Sequence, residues 1–517
     1  MESLLTNLEK LRDSDMYPCH MPGHKRTGNP IFGIDITEID AFDNLYHATG
    51  ILKEAKERAA QLYQSKESYY LVNGSTCGIL VAIFSAFKPG DTVIVARNCH
   101  KAVYHAIEIR GLRPIYLYPE TDDEYDISVG IKAEQVKEVL ERNKAEQEKE
   151  IPERNKAEQG REIPEQNKDL KYRPNRIKGM ILTSPTYEGL VSEIKEIAAL
   201  IHNEGGILVV DEAHGAHLGF DERFPESAVK QGADLVIQSL HKTLPSMTQT
   251  ALLHRATDRI DERRVNKYLS TFQTTSPSYI FMATMDECIR TLGEKKEALF
   301  EEFYSKLTSF YNQCSGLECV HVRNHLTKDT DPGKIVIKAD GMSGKEIYHF
   351  LREKHHLQPE MCSGNYALAI MTISDTQEGF DRLIQALKNL DDILTERQEA
   401  GDNPLLRNPE DISKERPKSG ENRESGLSQL LKHQPERRYY PFETENFEAE
   451  GVMLAEAEGR ISMDSIYLYP PGIPFLIPGE VFDRKLIESL KQLKDNGYEL
   501  TGMSGGDRDK ILVMKQN

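Results

Sequence analysis

The sequence contains few cysteines and no spacing that would organise them. Its 517 residues include seven cysteines, and no two of them form a CxxC pair. They are Cys19, Cys77, Cys99, Cys288, Cys314, Cys319 and Cys362. This scatter argues against a disulfide framework and against a zinc site. We therefore expect reduced thiols in a cytoplasmic protein and no bound metal.

The chain also lacks long apolar segments and a positive net charge. No apolar stretch is long enough to span a bilayer, and the charged residues that follow residues 1–5 argue against a signal peptide. Acidic residues outnumber basic ones by 83 to 65, which gives a formal net charge of −18. This balance argues against non-specific nucleic-acid binding and is compatible with a cationic substrate. We expect neither a membrane nor a nucleic acid as a partner.

Short apolar runs alternate with helical patterns between about residues 51 and 255. Continuous apolar runs that are separated by helices predict an α/β fold with a mostly parallel sheet covered on both faces. The runs lie at residues 69–72, 92–96, 114–117, 179–183, 207–210 and 235–238. In folds of this kind, ligands bind beyond the carboxyl ends of the strands.

The length and the 38% of hydrophobic residues predict two or three domains. We divide the chain into an irregular N-terminal arm at 1–50, a large domain at 51–275, a small α/β domain at 276–398, a polar linker at 399–438 and a C-terminal domain at 439–517. Further strands are predicted at 334–338, 367–373 and 461–469, helices around 295–311, 344–354 and 378–398, and a rigid turn at 470–474.

Residues 141–168 carry a charged repeat with a period of about twelve residues. Residues 141–152 nearly recur at 153–164, and a third, decaying copy follows. Each unit has almost no apolar residues to bury, which argues against a solenoid. We predict a surface insertion in the large domain that is partly helical or disordered.

Lys242 and Asp211 each follow a predicted strand of the sheet. A lysine amine at such a position can hold an aldehyde as a Schiff base, and a carboxylate can keep a pyridine nitrogen protonated. The pair therefore predicts pyridoxal 5′-phosphate (PLP) as the cofactor. The alternatives are a solvated surface lysine and a helix N-cap.

A phosphate group would need donors near these two residues. Gly74, Ser75 and Thr76 follow one strand and open an apolar helix, whose first N–H groups can cradle a dianion. Ser239 can add a hydroxyl, and His241 can contact the phosphate or assist proton transfer. An ordinary capped helix is the alternative at 73–78.

Other strand ends supply candidates for the remaining contacts. His100 can stack over a pyridine face, and Thr186 can hydrogen-bond near the phenolic oxygen of the cofactor. A polar turn and a proline-directed turn are the alternatives at these two positions. Ala213 is small enough to let a ring lie close. His214 either orients Asp211 through a hydrogen bond or is a core histidine.

Together these segments resemble the Orn/Lys/Arg decarboxylase family, which belongs to the aspartate-aminotransferase-like (fold type I) PLP enzymes. They include Asp-Glu-Ala-His-Gly at 211–215 and Ser-Leu-His-Lys at 239–242. The other stretches lie at residues 20–25, 35–38, 72–76, 97–102, 185–189 and 469–474. They run in the family's order along nearly the whole chain. The likeness is to the short bacterial members, which lack the N-terminal wing domain.

The resemblance implies a role for each candidate residue. Lys242 would hold the cofactor, Asp211 would pair with its pyridine nitrogen, and His100 would stack on its ring. The residues that would approach the phosphate are Ser75, Thr76, Ser239 and His241. Glu360 would lie near the distal cationic group of the substrate.

The function implied by the resemblance is decarboxylation of a basic amino acid to an amine and CO₂, as in polyamine biosynthesis. Arginine is the first expectation, with lysine or ornithine next, and His241 or Lys242 would return a proton to the substrate carbon. We expect at least a homodimer. The alternatives are transamination or aldol cleavage on the same fold, and a non-catalytic regulatory partner.

Overall fold

The fold was obtained as a computed structural model that describes residues 2–158, 176–399, 430, 432–468, 472–495, 500–502 and 510–516. The α-helices in this part of the chain are α1 (Leu4–Arg12), α2 (Ile51–Tyr63), α3 (Gly74–Ala86), α4 (Lys101–Arg110), α5 (Ala133–Glu158), α6 (Ile194–Asn203), α7 (Leu240–Thr243), α8 (Glu262–Phe272), α9 (Tyr279–Cys314), α10 (Gly344–His355), α11 (Gln377–Glu399), α12 (Pro441–Thr444) and α13 (Arg484–Asp495). Two 3₁₀ turns lie at Pro30–Ile34 and Leu454–Glu456.

The strands in the same part of the chain form five sheets, of seven, four, three, two and two strands. They are β1 (Glu67–Leu71), β2 (Thr92–Ala96), β3 (Arg113–Leu117), β4 (Thr121–Asp122), β5 (Ile127–Ser128), β6 (Ile177–Thr183), β7 (Ile207–Asp211), β8 (Leu235–Ser239), β9 (Ala251–Arg255), β10 (Val320–Val322), β11 (Lys334–Ala339), β12 (Met361–Ser363), β13 (Tyr366–Ile370), β14 (Ala449–Met453), β15 (Ile466–Leu468), β16 (Ile473–Leu476), β17 (Leu500–Thr501) and β18 (Lys510–Met514).

The predicted mostly parallel sheet is confirmed. Among the described residues, seven strands pair in the order β1-β9-β8-β7-β6-β2-β3, and all six predicted strands are in it. Strand β9 runs against the other six, since it pairs antiparallel with both β1 and β8. We call this sheet and the helices on it the large unit. Parallel strands buried on both faces require apolar runs, and every residue of β2 and β8 is buried.

Strand β9 was not predicted, because His254 interrupts its apolar run. The ring of His254 is fully buried, and its two nitrogens contact Ser68 Oγ at 2.7 Å and Gln238 Oε1 at 3.0 Å. A buried polar side chain is tolerated where its hydrogen bonds are made. The partners of His254 lie on two other strands, so the sequence near position 254 does not reveal them.

A second sheet forms the small unit, together with α9, α10 and α11. Its four described strands pair antiparallel in the order β10-β11-β13-β12. The two predicted strands are present, but the second ends at Ile370 instead of 373. Asp375 Oδ2 accepts a hydrogen bond from the backbone N–H of Thr372 at 2.6 Å, which turns the chain toward α11.

The N-terminal arm is more regular than predicted at residues 4–12, which form α1. Leu4 and Leu8 on this helix are fully buried in a core shared with α9. The backbone N–H of Leu4 also donates to Asp286 Oδ2 at 2.9 Å. The apolar period of α1 is short, and its partner helix lies far away in sequence, so an irregular arm was the wrong expectation here.

Strands β14–β18 and helix α13 pack around a separate apolar core and form the C-terminal unit. The strand predicted at 461–469 is shorter, at Ile466–Leu468. Ile473 and Pro474, predicted as part of a turn, belong to β16, whereas residues 469–471 lie outside the described residues. Most of the predicted linker, at 400–429 and 431, also lies outside them.

The charged repeat is partly helical, as predicted. Helix α5 continues through its first copy to Glu158, and residues 159–175 lie outside the described residues. No helix in the described ranges combines the length and the apolar character needed to cross a bilayer. In the same ranges, no cluster of three or more His, Cys, Asp and Glu side chains is arranged to bind a metal ion.

Candidate active site

A cavity of about 600 Å³ opens where the large, small and C-terminal units meet. Every one of the twelve residues proposed from the sequence lines this cavity. They are Gly74, Ser75, Thr76, His100, Thr186, Asp211, Ala213, His214, Ser239, His241, Lys242 and Glu360. The sequence therefore predicted which residues share one site, and the role of each residue remains a prediction.

The beginning of α3 lies at the edge of this cavity. Gly74 has a φ of +74°, a conformation that glycine adopts without strain, and it lets the chain turn directly from β1 into the helix. Gly78, one turn later, lets α3 lie close to the sheet, because a Cβ there would be 2.6 Å from Leu71 Cδ1. Ser75 Oγ is 2.6 Å from Ser239 Oγ. The helix start thus presents hydroxyls and N–H groups without intrahelical partners.

Lys242 and Asp211 lie at the ends of neighbouring parallel strands. Asp211 ends β7, and Lys242 lies on α7 directly after β8. Burial raises the pKa of Asp211, although Lys242 and the backbone N–H of Ala213 oppose this effect. Burial lowers the pKa of Lys242, and Asp211 and Glu360 oppose it. A buried carboxylate that contacts a single backbone N–H can accept a further cationic donor.

His214 does not make the predicted hydrogen bond to Asp211. Its Nε2 atom lies 2.9 Å from Lys242 Nζ, and its Nδ1 atom lies 2.9 Å from Nζ of Lys334. Burial, together with both lysines, lowers the pKa of His214 well below its usual range. The alternative interpretation, a core histidine, agrees with this buried ring, both of whose nitrogens have partners.

Two other histidines of the cavity are held in defined tautomers. His100 precedes α4, and its Nδ1 accepts from the backbone N–H of Ala102 at 3.2 Å, so the ring proton lies on Nε2. Burial lowers the pKa of His100 to about 4, which makes the ring neutral. His241 Nδ1 donates to the carbonyl of Thr250 at 3.0 Å, which leaves its Nε2 as an acceptor in the neutral form.

The remaining predicted residues lie on the side of the cavity near the small unit. Thr186 Oγ1 accepts from the backbone N–H of Leu190 at 3.2 Å, so its hydroxyl also closes a turn, as the alternative interpretation held. Glu360 Oε1 accepts a hydrogen bond of 2.5 Å from the hydroxyl of Tyr187. Both residues line the cavity that contains Lys242.

Several polar residues of the cavity were missed by the sequence analysis. They are Asn73, Asn98, Asp126, Ser128, Thr183, Tyr187, Glu188, Gln249, Ser363 and Tyr366. Tyr187 and Glu188 directly follow Thr186 and could have been included with it. Tyr366 reaches the site from the small unit, where its hydroxyl donates to Glu188 Oε1 at 2.7 Å. No local sequence pattern predicts such a hydrogen bond between the small unit and the large unit.

The C-terminal unit closes part of the cavity and braces the segment that carries His100. Leu468, Ile473 and Phe475 line the cavity. Arg97 Nη2 donates to Glu480 Oε2 at 2.9 Å and to the Phe475 carbonyl at 3.2 Å, and both charged groups are buried. A buried pair of this kind holds its geometry strictly, since breaking it leaves a charge without a partner.

Glu212, next to Asp211, points away from the cavity and provides a pH-dependent stability test. Its carboxylate accepts from Ala228 N, Ser227 Oγ and Gln238 Nε2 at 2.8, 2.7 and 2.6 Å. Burial raises its pKa from 4.5 to about 7. The folded state therefore binds more protons than the unfolded state between these values, and stability falls as pH rises through them, by on the order of 3 kcal/mol.

Glu212→Gln removes this titrating carboxyl group, because a glutamine amide does not titrate in this pH range. We expect its melting temperature to fall less than that of the wild type between pH 5 and pH 8, as measured by thermal unfolding at closely spaced pH values. All other titrating groups are common to the two proteins, so the difference between the curves isolates position 212. If melting temperature depended on pH in the same way in both proteins, the raised pKa of Glu212 would be contradicted.

Solved structures share this architecture. The chain matches the lysine decarboxylase LdcF of Francisella novicida with a TM-score of 0.79 and 19% identity, over 99% of this chain and 81% of that one. This likeness shows the fold. The mixed sheet and its flanking helices, with the additional small and C-terminal units, have the aspartate-aminotransferase-like fold that the resemblance implied.

Sequence comparisons assign the chain within that class. Residues 17–329 match the family described as Orn/Lys/Arg decarboxylase, major domain, and residues 428–505 match its C-terminal domain. The chain belongs to the Orn/Lys/Arg decarboxylase family. It is 32% identical to the protein YaaO of Bacillus subtilis strain 168, over 96% of this chain and 94% of YaaO. It is 29% identical to the arginine decarboxylase of the same strain, over 99% and 98% of the two chains.

Proposed function

We propose that this protein is a PLP-dependent enzyme that removes the α-carboxyl group of a basic amino acid, with arginine preferred and lysine or ornithine next. The observation that carries the proposal is one cavity that contains both the Lys242–Asp211 pair and the carboxylate of Glu360. Membership of the family supports the reaction class. The relative named arginine decarboxylase, which is similar along nearly its whole length, supports the preference for arginine.

The cavity residues fit PLP. Ser75, Thr76 and Ser239 provide hydroxyls beside the first N–H groups of α3, a combination that suits a phosphate. Asp211 has lone pairs left for a pyridine N–H, and an N–H cation there would offset the cost of burying this carboxylate. Lys242 provides the amine for the aldehyde, and its lowered pKa favours the reactive form.

When bound, PLP would supply an electron sink for the electron pair that stays on the substrate carbon when CO₂ leaves. The protein supplies orientation and electrostatics. Asp211 would keep a proton on the pyridine nitrogen, and the neutral ring of His100 would pack against the cofactor ring. Lys242 Nζ would deliver a proton to the substrate carbon that loses the carboxyl group, and His241 Nε2 would do so only after it has itself taken up a proton. The hydrophobic side chains of the C-terminal unit limit the access of water.

Carboxylates at the small-unit side of the cavity suit the distal cation of the substrate. Glu360, Glu188 and Asp126 all line the cavity. The hydroxyls of Tyr187 and Tyr366 hold Glu360 and Glu188 in place. A guanidinium or an ammonium group pairs strongly with such oriented carboxylates, and a guanidinium can contact two of their oxygens at once.

Glu360→Gln tests this substrate contact. We expect KM for the basic amino acid to rise about 10- to 100-fold, which corresponds to the loss of one charge-assisted hydrogen bond, with a smaller change in kcat. Steady-state kinetics with arginine, lysine and ornithine measure the effect. Glu353→Gln, an exposed carboxylate on α10, is the matched control. An unchanged KM for the preferred substrate would contradict the role of Glu360.

The reaction itself is tested by product analysis. Arginine, lysine and ornithine labelled at the carboxyl carbon should release labelled CO₂ and the matching amine, in proportion to enzyme. Keto-acid formation or aldehyde release in place of CO₂ would instead indicate transamination or aldol cleavage. A purified protein that forms no product with any of the three would favour a regulatory partner.

We also propose that the protein works as at least a homodimer in the cytoplasm, in polyamine biosynthesis. Met16, Tyr17 and Met21 support self-association, because their side chains are 68%, 78% and 68% exposed in the single chain. All seven cysteines are unpaired, which suits a reducing compartment. Light scattering of the purified protein tests the oligomeric state, and a monomeric mass at micromolar concentration would refute it.

A further inference from the structure

Two glutamine side chains hold the turn that leads from β1 into α3. Strand β1 pairs with β9 as far as Leu71, and the next residue, Val72, is buried just before the helix begins. Gln273 Oε1 accepts a hydrogen bond from the backbone N–H of Val72 at 2.9 Å. Gln249 Nε2 donates to the carbonyl of Val72 at 2.7 Å. We call the side chains of Gln249 and Gln273, with these two hydrogen bonds, the glutamine clamp.

The neighbouring strand does not supply these hydrogen bonds. Thr250, which precedes β9, would face Val72 next along the ladder. Its carbonyl instead accepts from the backbone N–H of Leu240 at 3.2 Å and from His241 Nδ1 at 3.0 Å. Leu240 and His241 belong to α7, which also carries Lys242. The buried peptide groups of Val72 therefore need other partners, and the clamp provides them.

Gln249 has an unusual backbone conformation. Its φ is +83°, in the left-handed region that residues with a side chain rarely occupy and that costs free energy. Gln249 also lines the cavity, and a Cβ built on Gly74 would lie 3.7 Å from its carbonyl oxygen. The strained residue thus packs against the first residue of α3. Such a conformation persists where the surrounding contacts compensate for it, and the hydrogen bond to Val72 is one of these contacts.

The other half of the clamp is buried. Gln273 follows α8, and its Nε2 atom donates to the carbonyl of Tyr70 at 3.4 Å. The backbone N–H of Thr274, the next residue, donates to Asn73 Oδ1 at 3.1 Å. The segment after α8 therefore holds the end of β1 and the residue that precedes α3. Gln273 is not one of the residues that line the cavity, so it acts on the site only through the backbone of Val72.

We propose that Gln249 and Gln273 are positioning residues for the phosphate group of PLP. The clamp fixes Val72, and it thereby fixes the direction of the first N–H groups of α3 and of the hydroxyls of Ser75 and Thr76. Groups that are held in place before a ligand arrives lose less freedom when it binds, so the clamp raises the affinity for the phosphate. The inference rests on the proposed function, in which this helix start binds that phosphate.

The test compares PLP with pyridoxal, which has the same ring and aldehyde but no phosphate. Absorbance titration of the full-length chain, after its cofactor has been removed, gives the dissociation constant of each ligand. Gln249→Met keeps the length of the side chain but cannot donate to Val72. We expect it to lower the preference for PLP over pyridoxal about tenfold, the effect of one hydrogen bond. Gln249 is exposed in the single chain, so the affinity for pyridoxal and the melting temperature should stay close to those of the wild type.

Gln273→Met tests the clamp from the side away from the cavity. It should also lower the preference for PLP about tenfold, because the backbone N–H of Val72 loses its acceptor. The ratio of the two dissociation constants is taken on the folded protein, so a lower melting temperature in this variant does not affect the comparison. A loss of preference in Gln249→Met with none in a folded Gln273→Met would overturn the proposal, since Gln249 would then act by contacting the phosphate itself.

Gln231→Met is the matched control, because Gln231 Nε2 donates to the carbonyl of Glu226 at 2.7 Å, away from the cavity. This variant should keep the preference of the wild type. An unchanged preference in Gln249→Met, or an equal loss in Gln231→Met, would also overturn the proposal. A wild-type chain that binds PLP no more tightly than pyridoxal would refute the phosphate site of the proposed function. A wild-type preference that survives in both clamp variants would refute the clamp alone.

Discussion

Lys242→Ala is expected to abolish the yellow absorbance that PLP gives when it is joined to the protein, and to lower decarboxylation about 10⁴-fold. The variant loses the amine proposed to hold the cofactor aldehyde and also a candidate donor of the proton to the substrate carbon. Removal of a positioned proton-transfer group alone costs about 10²- to 10⁴-fold, and the loss of the covalent contact adds to it. Visible absorbance and CO₂ release from labelled arginine measure the two effects.

The control is Lys267→Ala, an exposed lysine on α8. It should retain the colour and the activity of the wild type. Loss of colour in both variants would point to a general loss of structure, which circular dichroism detects. A coloured and active Lys242→Ala would show that another amine holds the cofactor, and the proposed site would then be wrong.

The arrangement of the large unit could be predicted because it depends on local patterns. Continuous apolar runs identify parallel strands, and the carboxyl ends of such strands meet at one edge of the sheet. Asp211 and Lys242 both lie at such ends, so their meeting in one cavity follows from the sequence. Gly74, Ser75 and Thr76 were found for the same reason, as the first turn of a helix after a strand.

The rest of the site depends on contacts between units, which no local pattern encodes. Lys334 is the first residue of a strand in the small unit, and nothing near it in sequence indicates that its amine meets His214. Tyr366 reaches Glu188 in the same way. The expected hydrogen bond between His214 and Asp211 is absent for the same reason, because the two ring nitrogens of His214 contact Lys242 and Lys334 instead.

The resemblance to the family supplied what geometry alone leaves open. The fold hosts many reactions, and the Lys242–Asp211 pair would serve transamination as well as decarboxylation. The reaction class follows from membership of the family. The carboxylate side of the cavity, where Glu360 and Glu188 are held by tyrosine hydroxyls, bears on the substrate. A substrate with a distal cation therefore matches the cavity better than one with an apolar or acidic side chain.

Asp211→Asn is expected to lower kcat about 10²- to 10³-fold with a much smaller change in KM. Asparagine keeps the shape of the side chain and can still accept a hydrogen bond, but it has no negative charge to keep a proton on the pyridine nitrogen. Electron withdrawal by the ring matters most when the carboxyl group leaves, so the loss falls on the transition state more than on substrate binding. Steady-state kinetics separate the two parameters.

Glu212→Gln is the matched control, because it makes the same chemical change at the adjacent buried residue. Asp211 faces the cavity, whereas the Glu212 carboxylate binds Ser227, Ala228 and Gln238 in the interior. Glu212→Gln should therefore alter the dependence of melting temperature on pH while kcat stays within a few-fold of the wild type. Equal losses of kcat in the two variants would mean that any buried charge near β7 matters, and the specific role of Asp211 would be lost. A large loss confined to Asp211→Asn would support the proposed pairing of this carboxylate with a protonated pyridine nitrogen.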